Sequence, residues 1–119
     1  MKDEPEDLRS RTKRFGISII QLYVQLPNSR PAQVLGGQFL RSGSSIGAHY
    51  REACRARSDA GFVSKMEVAL QELDETGYWL GVLTESKIFC AQCAFDLLAE
   101  TNELISIFVT IVRRRKEDW

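Results

Sequence analysis

Apolar residues recur at the spacing of an α-helix in four separate segments of this chain. In the clearest segment the apolar seam repeats alternately every four and three residues. Its positions are Phe62, Met66, Ala69, Leu73, Thr76, Leu80 and Leu83. A seven-residue repeat of this kind is typical of helices that pack in bundles. The pattern predicts a long helix that begins at Ser58 or Asp59, both of which are good N-cap residues.

The other three segments show the same period and are separated by residues that end helices. Residues 8–26 form the first predicted helix, which Pro27 ends because proline cannot continue the hydrogen-bond ladder. Ser29 is the predicted N-cap of a second helix that extends to about residue 56. A fourth helix is predicted over residues 91–115. The sequence thus predicts an all-α fold, an antiparallel up-down-up-down four-helix bundle over residues 8–116. Residues 1–7 are predicted to be frayed, and residues 117–119 form a tail.

Several glycines lie inside the second predicted helix, where each costs about 1 kcal/mol relative to alanine. Gly36, Gly43 and Gly47 fall on one side of that helix, together with apolar residues. Close approach of another backbone is the usual reason to keep glycines inside a helix. We therefore expect a shallow groove on this face, with a second helix packed into it.

The predicted helices carry more apolar surface than one bundle needs. Val68, Trp79 and Val82 form a second patch on the third helix, and the fourth helix has two apolar stripes. These stripes are Phe95, Leu98, Ile105, Val109 and Val112, and beside them Leu97, Leu104, Phe108 and Ile111. Monomers seldom expose patches of this size, so we expect a homo-oligomer. The predicted interface residues are Val68, Trp79, Val82, Leu104, Phe108 and Ile111.

Composition and charge indicate the cellular environment in which the protein is expected to occur. The 119 residues fit one domain with a formal net charge of zero, which gives no global attraction to nucleic acid or to an anionic membrane. The most apolar run, residues 104–112, is much shorter than the roughly 20 residues of a membrane-spanning helix. Three cysteines and a charged N-terminus without an apolar leader segment indicate a reducing compartment, so we expect a cytoplasmic protein without membrane contact.

Charge is distributed unevenly along the chain. Residues 30–57 carry five arginines against Glu52, whereas residues 58–87 carry two lysines against six carboxylates. Arg41, Arg51 and Arg55 lie within about 80° of each other on the second predicted helix. With Lys65 they are predicted to form a basic band that contacts the phosphates of RNA. A second candidate for phosphate contact is the run Arg113, Arg114 and Arg115, which also complements the negative end of a helix dipole.

A structural interpretation of the same arginines stays open. They are also suited to pair with carboxylates of a neighbouring subunit and so to fix the register of an oligomer. The carboxylates considered for this pairing are Glu67, Glu72, Asp74 and Glu75.

Other motifs favour structural interpretations. The Gly43–Gly47 segment has neither the lysine nor the preceding strand of a phosphate-binding loop. Cys90 and Cys93 have C-x-x-C spacing but no further pair of zinc ligands and no thioredoxin-like context, which favours ordinary cysteines at a helix start. Glu72 and Glu75 have no nucleophile in the same motif. We therefore expect no catalysis, no metal and no cofactor.

Specific residues do suggest a family. The block LRSGSSIGA at residues 40–48 is followed by Glu52-Ala53, then Phe62 and Lys65, then ALQE at residues 69–72 and ETGYWL at residues 75–80. With these motifs the chain, from about residue 15 to residue 115, resembles the four-helix bundle proteins of bacteria, also called 23S rRNA intervening-sequence proteins. The accessory protein of diversity-generating retroelements is a distant relative. One departure is His49, where the family usually has asparagine.

The resemblance implies an antiparallel four-helix bundle that assembles as a homopentamer, a barrel with a central pore. Some members are encoded within intervening sequences of ribosomal RNA genes, which is why RNA binding is proposed for them, and the retroelement relatives bind nucleic acid and a reverse transcriptase through basic surfaces. We therefore expect a non-catalytic, oligomeric binding protein with RNA as its partner. The alternative is a homo-oligomeric scaffold that docks another protein.

Overall fold

The computed structural model describes residues 7–118, which form four α-helices and no strands. The helices are α1 (Leu8–Tyr23), α2 (Arg30–Cys54), α3 (Asp59–Glu85) and α4 (Ala91–Glu117). The four predicted helices are confirmed. Their ends differ slightly, because α1 and α2 stop before the predicted residues 26 and 56, while α4 continues to Glu117. The predicted frayed segment lies outside the described residues except for Asp7.

Short polar side chains begin three of the helices. Ser29 accepts a hydrogen bond from the amide of Ala32 at 3.3 Å, and Ser58 accepts one from Gly61 at 3.0 Å, as expected for N-caps. Asp7 caps α1 by accepting from the amide of Arg9 at 3.0 Å. Asp7, which the sequence assigned to the frayed segment, is therefore the N-cap of α1.

Helix α1 packs into the glycine face of α2. A Cβ atom added to Gly43 would lie 2.5 Å from Ile19 Cδ1, and one added to Gly36 would lie 2.3 Å from Leu26 Cδ1. At Gly47 the nearest atom would be Thr12 Oγ1, at 3.2 Å. The expected groove is confirmed, and the helix that occupies it belongs to the same chain.

The core is built around the predicted seam of α3. Every seam residue from Phe62 to Leu83 is buried, and the side chains of Met66, Ala69 and Leu73 are fully enclosed. Thr76 lies in this seam with its hydroxyl 3.0 Å from that of Ser42 and 2.7 Å from the carbonyl of Glu72. Among residues 7–118, every buried polar side-chain atom has a hydrogen-bond partner, which replaces the hydrogen bonds to water that burial removes.

On α4 the structure corrects part of the predicted interface. Leu104 and Phe108 are completely buried within the chain, together with Leu97, so they cannot contact another subunit. Most of the stripe beside them faces outward instead, with Phe95 69% and Val109 44% exposed, whereas Val112 of the same stripe is buried. Two adjacent stripes of similar apolarity do not reveal which one faces the core. Val68, Trp79, Val82 and Ile111 are only half-buried, and their role at an interface stays a prediction.

Helices that follow each other in sequence pack side by side, and α1 also touches α4. Arg11 of α1 makes that last connection. Its Nε and Nη2 atoms donate to the two carboxylate oxygens of Glu100 at 2.8 and 2.9 Å, and Nη2 also donates to Glu103. These carboxylates raise the pKa of Arg11 further above its already high value. No helix within residues 7–118 is long and apolar enough to cross a membrane.

Candidate nucleic-acid interface

Arg41 lies in the middle of α2 and is held by two carboxylates of α3. Its Nη1 atom is 3.3 Å from Glu72 Oε1, and its Nη2 atom is 2.5 Å from Glu75 Oε1. The structural interpretation of the sequence named these carboxylates but placed them in a neighbouring subunit, and here it was wrong, because the pairing is within one chain. Two carboxylates compensate the charge of the guanidinium. Arg41 is therefore the least suited of the predicted residues to contact phosphate.

Arg51 and Arg55 lie in the last turn of α2 and at its C-cap, and both side chains are exposed. Arg51 borders a shallow groove between α1 and α2, with Lys13 also along its edge. No ion pair with Arg51 or Arg55 occurs within residues 7–118. These two arginines therefore present uncompensated positive charge to solvent.

Lys65 contacts a carboxylate on the neighbouring helix. Its Nζ atom is 3.5 Å from Glu52 Oε1, and His49 Nδ1 is 3.6 Å from the same oxygen. Exposed pairs of this length contribute little stability. The contact nevertheless engages the carboxylate of Glu52, the one acidic residue of α2, which would otherwise be available to pair with Arg51 or Arg55.

The cations in the last turns of α4 fall into two groups, those with an ion-pair partner and those without one. Arg115 Nη1 is 3.2 Å from Asp59 Oδ1, and its guanidinium carbon lies 3.8 Å above the centre of the Phe62 ring, a cation–π contact. Arg115 therefore fastens α4 to α3. Arg113 and Arg114 are exposed, and neither forms an ion pair with any described residue.

These contacts bring the two predicted basic segments to one end of the bundle. Arg115 and Lys116 of α4 bind Asp59 and Glu67 in the first turns of α3, and the connection at residues 55–58 leads from α2 into the same turns.

We define the basic end as Arg9, Arg51, Arg55, Arg57, Arg113 and Arg114, exposed arginines without an ion pair among residues 7–118. Three of the carboxylates at this end, those of Glu52, Asp59 and Glu67, are each paired with another cation. Among residues 7–118, three further carboxylates lie at this end, those of Asp7, Glu117 and Asp118, against the six arginines.

Sequence reasoning missed Arg9 and Arg57 as members of this surface. Arg9 begins α1, and Arg57 lies between α2 and α3, so they are distant in sequence from the end of α4. The signal was available in the predicted order of the helices. In a bundle whose successive helices reverse direction, the starts of the odd helices meet the ends of the even helices.

Tyr50 ties the end of α2 to the core beside this surface. Its ring lies 5.7 Å from that of Phe108, measured between centres. Burial, followed by a hydrogen bond with Cys54, raises the pKa of Tyr50 to about 12; the charge of Asp7 also raises this pKa, whereas the charge of Arg9 lowers it. The influence of Asp7 and Arg9 shows that the start of α1 lies close to the end of α2.

The basic end is suited to some ligands and not to others. The exposed aromatic side chains among residues 7–118 are Tyr78 of α3 and Phe95 of α4, and neither belongs to the basic end. Proteins that bind single strands stack bases on exposed aromatic rings, so this surface offers charge without stacking. Within residues 7–118 there is also no group of three or more metal-binding side chains.

The sequence and the fold both have counterparts among known proteins. A family model described as "23S rRNA-intervening sequence protein" matches residues 7–110. The fold is similar to the crystal structure of a protein with unknown function from the S23 ribosomal protein family of Bacteroides thetaiotaomicron VPI-5482. That similarity has a TM-score of 0.83 and 33% sequence identity, and it covers 89% of this chain and 98% of the other. No curated protein matches the sequence.

Proposed function

The chain belongs to the 23S rRNA-intervening sequence protein family, and from this premise we propose that it is a non-catalytic, self-associating helical bundle that binds structured RNA through the basic end. The observation that carries the proposal is the convergence of six unpaired arginines from α1, α2, the α2–α3 connection and α4. Arginine is the side chain best suited to phosphate, because its planar guanidinium donates two parallel hydrogen bonds.

The chemistry of this surface favours a double-helical or compactly folded RNA. Such RNA presents phosphates and 2′-hydroxyls at its surface while its bases are stacked inside, so it is recognised largely by shape and charge. Among residues 7–118, the arginines of the basic end have no exposed aromatic ring beside them, which matches that presentation. A single strand would offer its bases to exposed rings, and the described residues of this end provide none.

We also infer an antiparallel up-down-up-down arrangement and a ring of identical subunits, with five copies as the expected number. The arrangement is supported by the contacts that join the start of α3 to the end of α4. The ring is supported by the resemblance of the sequence and by exposed apolar side chains such as Phe95, Leu98 and Val109. In a ring, the basic end of each subunit would lie on the same rim. The expected location is the cytoplasm, where RNA is available.

A pair of double variants tests RNA binding by the basic end. R51Q/R55Q removes two unpaired arginines from the end of α2, and we expect it to weaken binding of a hairpin RNA by about tenfold at about 50 mM salt. The slope of log K against log salt concentration should fall by about 2, one for each lost phosphate contact. Fluorescence anisotropy of a labelled RNA measures both quantities.

The matched control is R30Q/R41Q, which removes the same charge from the same helix. Arg30 begins α2 at the opposite end, and Arg41 is already paired with Glu72 and Glu75. We expect the control to bind nearly as the parent does. Equal losses in the two variants would mean that only overall charge matters, and an unchanged affinity of R51Q/R55Q would overturn the proposed surface.

A protein scaffold is the second candidate function, and one observation favours it. Phe95 and Leu98 border a cavity of about 240 Å³ between α3 and α4, whose lining is mainly apolar. If the parent does not retain RNA at low salt but co-purifies with one particular protein, and F95S loses that protein, the scaffold function replaces RNA binding.

A further inference from the structure

Two exposed cysteines lie three residues apart at the start of α4. Cys90 is the N-cap residue of the helix and has extended backbone angles, and Cys93 lies in the first turn. Each thiol influences the pKa of the other. The C-x-x-C spacing alone predicts two cysteines near a helix start, and the structure adds that one is the N-cap, that the other lies in the first turn, and that both are accessible to a reagent.

The helix start makes the two thiols chemically different. Hydrogen bonds from Cys93, from both its backbone amide and its thiol, lower the pKa of Cys90, and the amide of Gln92 adds to this effect. The hydrogen bond with Cys90 is the main cause that raises the pKa of Cys93. A thiolate is the attacking form of cysteine, and helix N-termini stabilise it. Cys90 is therefore the better nucleophile, and Cys93 is positioned to react second.

An open cleft lies next to this pair. Helix α1 has 16 residues and α4 has 27, so the first turns of α4 are left uncovered where α1 ends. Between the two helices is a cleft of about 540 Å³. Cys93 lines it, together with polar side chains that include Ser18, Gln21, Gln25 and Asp96. A small polar molecule has room to approach the sulfur atoms from this side.

We propose that Cys90 and Cys93 form a dithiol site that exchanges with low-molecular-weight disulfides of polar, peptide-like character. This inference does not depend on RNA binding or on the ring. It assigns a reversible modification to a motif that has no part in the proposed function.

The reaction balances without any further oxidant. The Cys90 thiolate attacks one sulfur of the disulfide RSSR, which forms a mixed disulfide Cys90–S–S–R and releases RS⁻. The Cys93 sulfur, after losing its proton, then attacks the Cys90 sulfur and displaces the second RS⁻. The two thiol protons of the protein end on the released groups, so one RSSR becomes two RSH and the protein gains one disulfide.

Geometry at the helix start permits this bond. A disulfide requires two cysteine Cβ atoms about 3.5–4.5 Å apart, and C-x-x-C spacing at the start of a helix is an arrangement in which proteins form it. Zinc is the other ligand that C-x-x-C spacing suggests. A closed zinc site needs four ligands, and within residues 7–118 no third metal-binding side chain joins the pair.

Glutathione disulfide is a suitable probe of the full-length protein. After incubation with an excess of this reagent, followed by alkylation of the remaining thiols, peptide mass analysis should find Cys90 and Cys93 joined and Cys54 alkylated. Cys54 is also exposed but lies at the end of α2 without a neighbouring thiol, so it is the internal control. The C54S variant should behave as the parent does. Absence of the Cys90–Cys93 disulfide under these conditions would overturn the proposal.

Two single variants separate the roles of the thiols. C93S should stop at the first step and accumulate one glutathionyl group on Cys90. C90S should react no faster than Cys54 does, whereas Cys90 in C93S should react at least about threefold faster than Cys54 at neutral pH, because its thiolate is stabilised. Equal rates for all three cysteines would contradict the proposed asymmetry. Both side chains are exposed, so we expect both variants to fold, which circular dichroism checks.

Discussion

Gly43 and Gly37 are both interior residues of α2, yet their surroundings differ completely. A Cβ atom on Gly43 would meet three carbon atoms of Ile19 at less than 3 Å, and Ile19 is itself fully buried. A Cβ atom on Gly37 would meet nothing within 4 Å. The first glycine is therefore required by packing against α1, and the second is not.

This contrast predicts opposite effects of the same substitution. G43A should lower the free energy of unfolding by about 1–3 kcal/mol, because the added methyl overpacks a closed site. G37A should raise it by about 0.5–1 kcal/mol, because alanine has the higher helix propensity. Urea denaturation monitored by circular dichroism measures both. If G43A is as stable as G37A, the α1–α2 packing described above is incorrect.

Sequence alone placed Gly36, Gly43 and Gly47 on one face and left Gly37 off it, but it did not indicate how closely another side chain approaches each glycine. Periodicity reports only the direction in which a residue points along its own helix. Whether Ile19 or open solvent faces a given glycine depends on how the two helices cross, and the pattern within a single helix does not carry that information. The same limit applies to Arg41, whose carboxylate partners were named correctly but assigned to the wrong chain.

Among the elements, α4 was the hardest to orient and α3 the easiest. The seam of α3 repeats alternately every four and three residues without a break, and all of its seven positions were predicted and are buried. On α4 two adjacent stripes have similar apolarity, and the sequence offered no means of choosing between Phe108 and Val109. The structure buries Phe108 and leaves Val109 exposed.

Arg11 of α1 binds Glu100 and Glu103 of α4, which predicts a measurable coupling. R11Q should destabilise the protein by about 1–2 kcal/mol, because a half-buried, charge-assisted pair with Glu100 is lost. A double-mutant cycle of R11Q with E100Q should give a coupling energy of about 1 kcal/mol. Chemical denaturation of the four proteins measures this.

The control for this prediction is the more exposed pair formed by Arg41 and Glu75. Its side chains are 52% and 48% exposed, against 19% for Arg11. The double-mutant cycle of R41Q with E75Q should therefore give a coupling energy of less than about 0.5 kcal/mol. A larger coupling for the exposed pair would mean that the Arg11 contact is not what holds α1 to α4.

For the whole molecule, the exposed apolar side chains predict assembly. We expect light scattering to give a solution mass of about five times the 13.5 kDa of the chain. Phe95 is 69% exposed at the edge of the apolar cavity, so F95S should reduce this mass without unfolding the chain. The control N102S changes an exposed polar residue of the same helix and should leave the mass unchanged. A parent that is monomeric at micromolar concentration would contradict the inferred ring.

At this scale the sequence supplied the helix number and the family, while the basic end emerged only from the folded chain. Arg51 and Arg113 are separated by about half of the chain in sequence. The packing of α3 against α4, with Arg115 paired to Asp59 and Lys116 to Glu67, brings their helix ends together. Charge counted along the sequence therefore identified the cations but not the surface that they form.

The grouping of arginines at one end also has an electrical consequence. Within residues 7–118, six arginines without an ion pair lie at the basic end against three unpaired carboxylates, whereas unpaired carboxylates such as Asp74, Glu85 and Asp96 lie on α3 and α4 away from it. Among these residues the charge is therefore divided unevenly along a body 48 Å long, although the formal net charge of the chain is zero. We expect the field of this surface to orient an approaching polyanion before the two molecules touch, and this effect should weaken as salt is added.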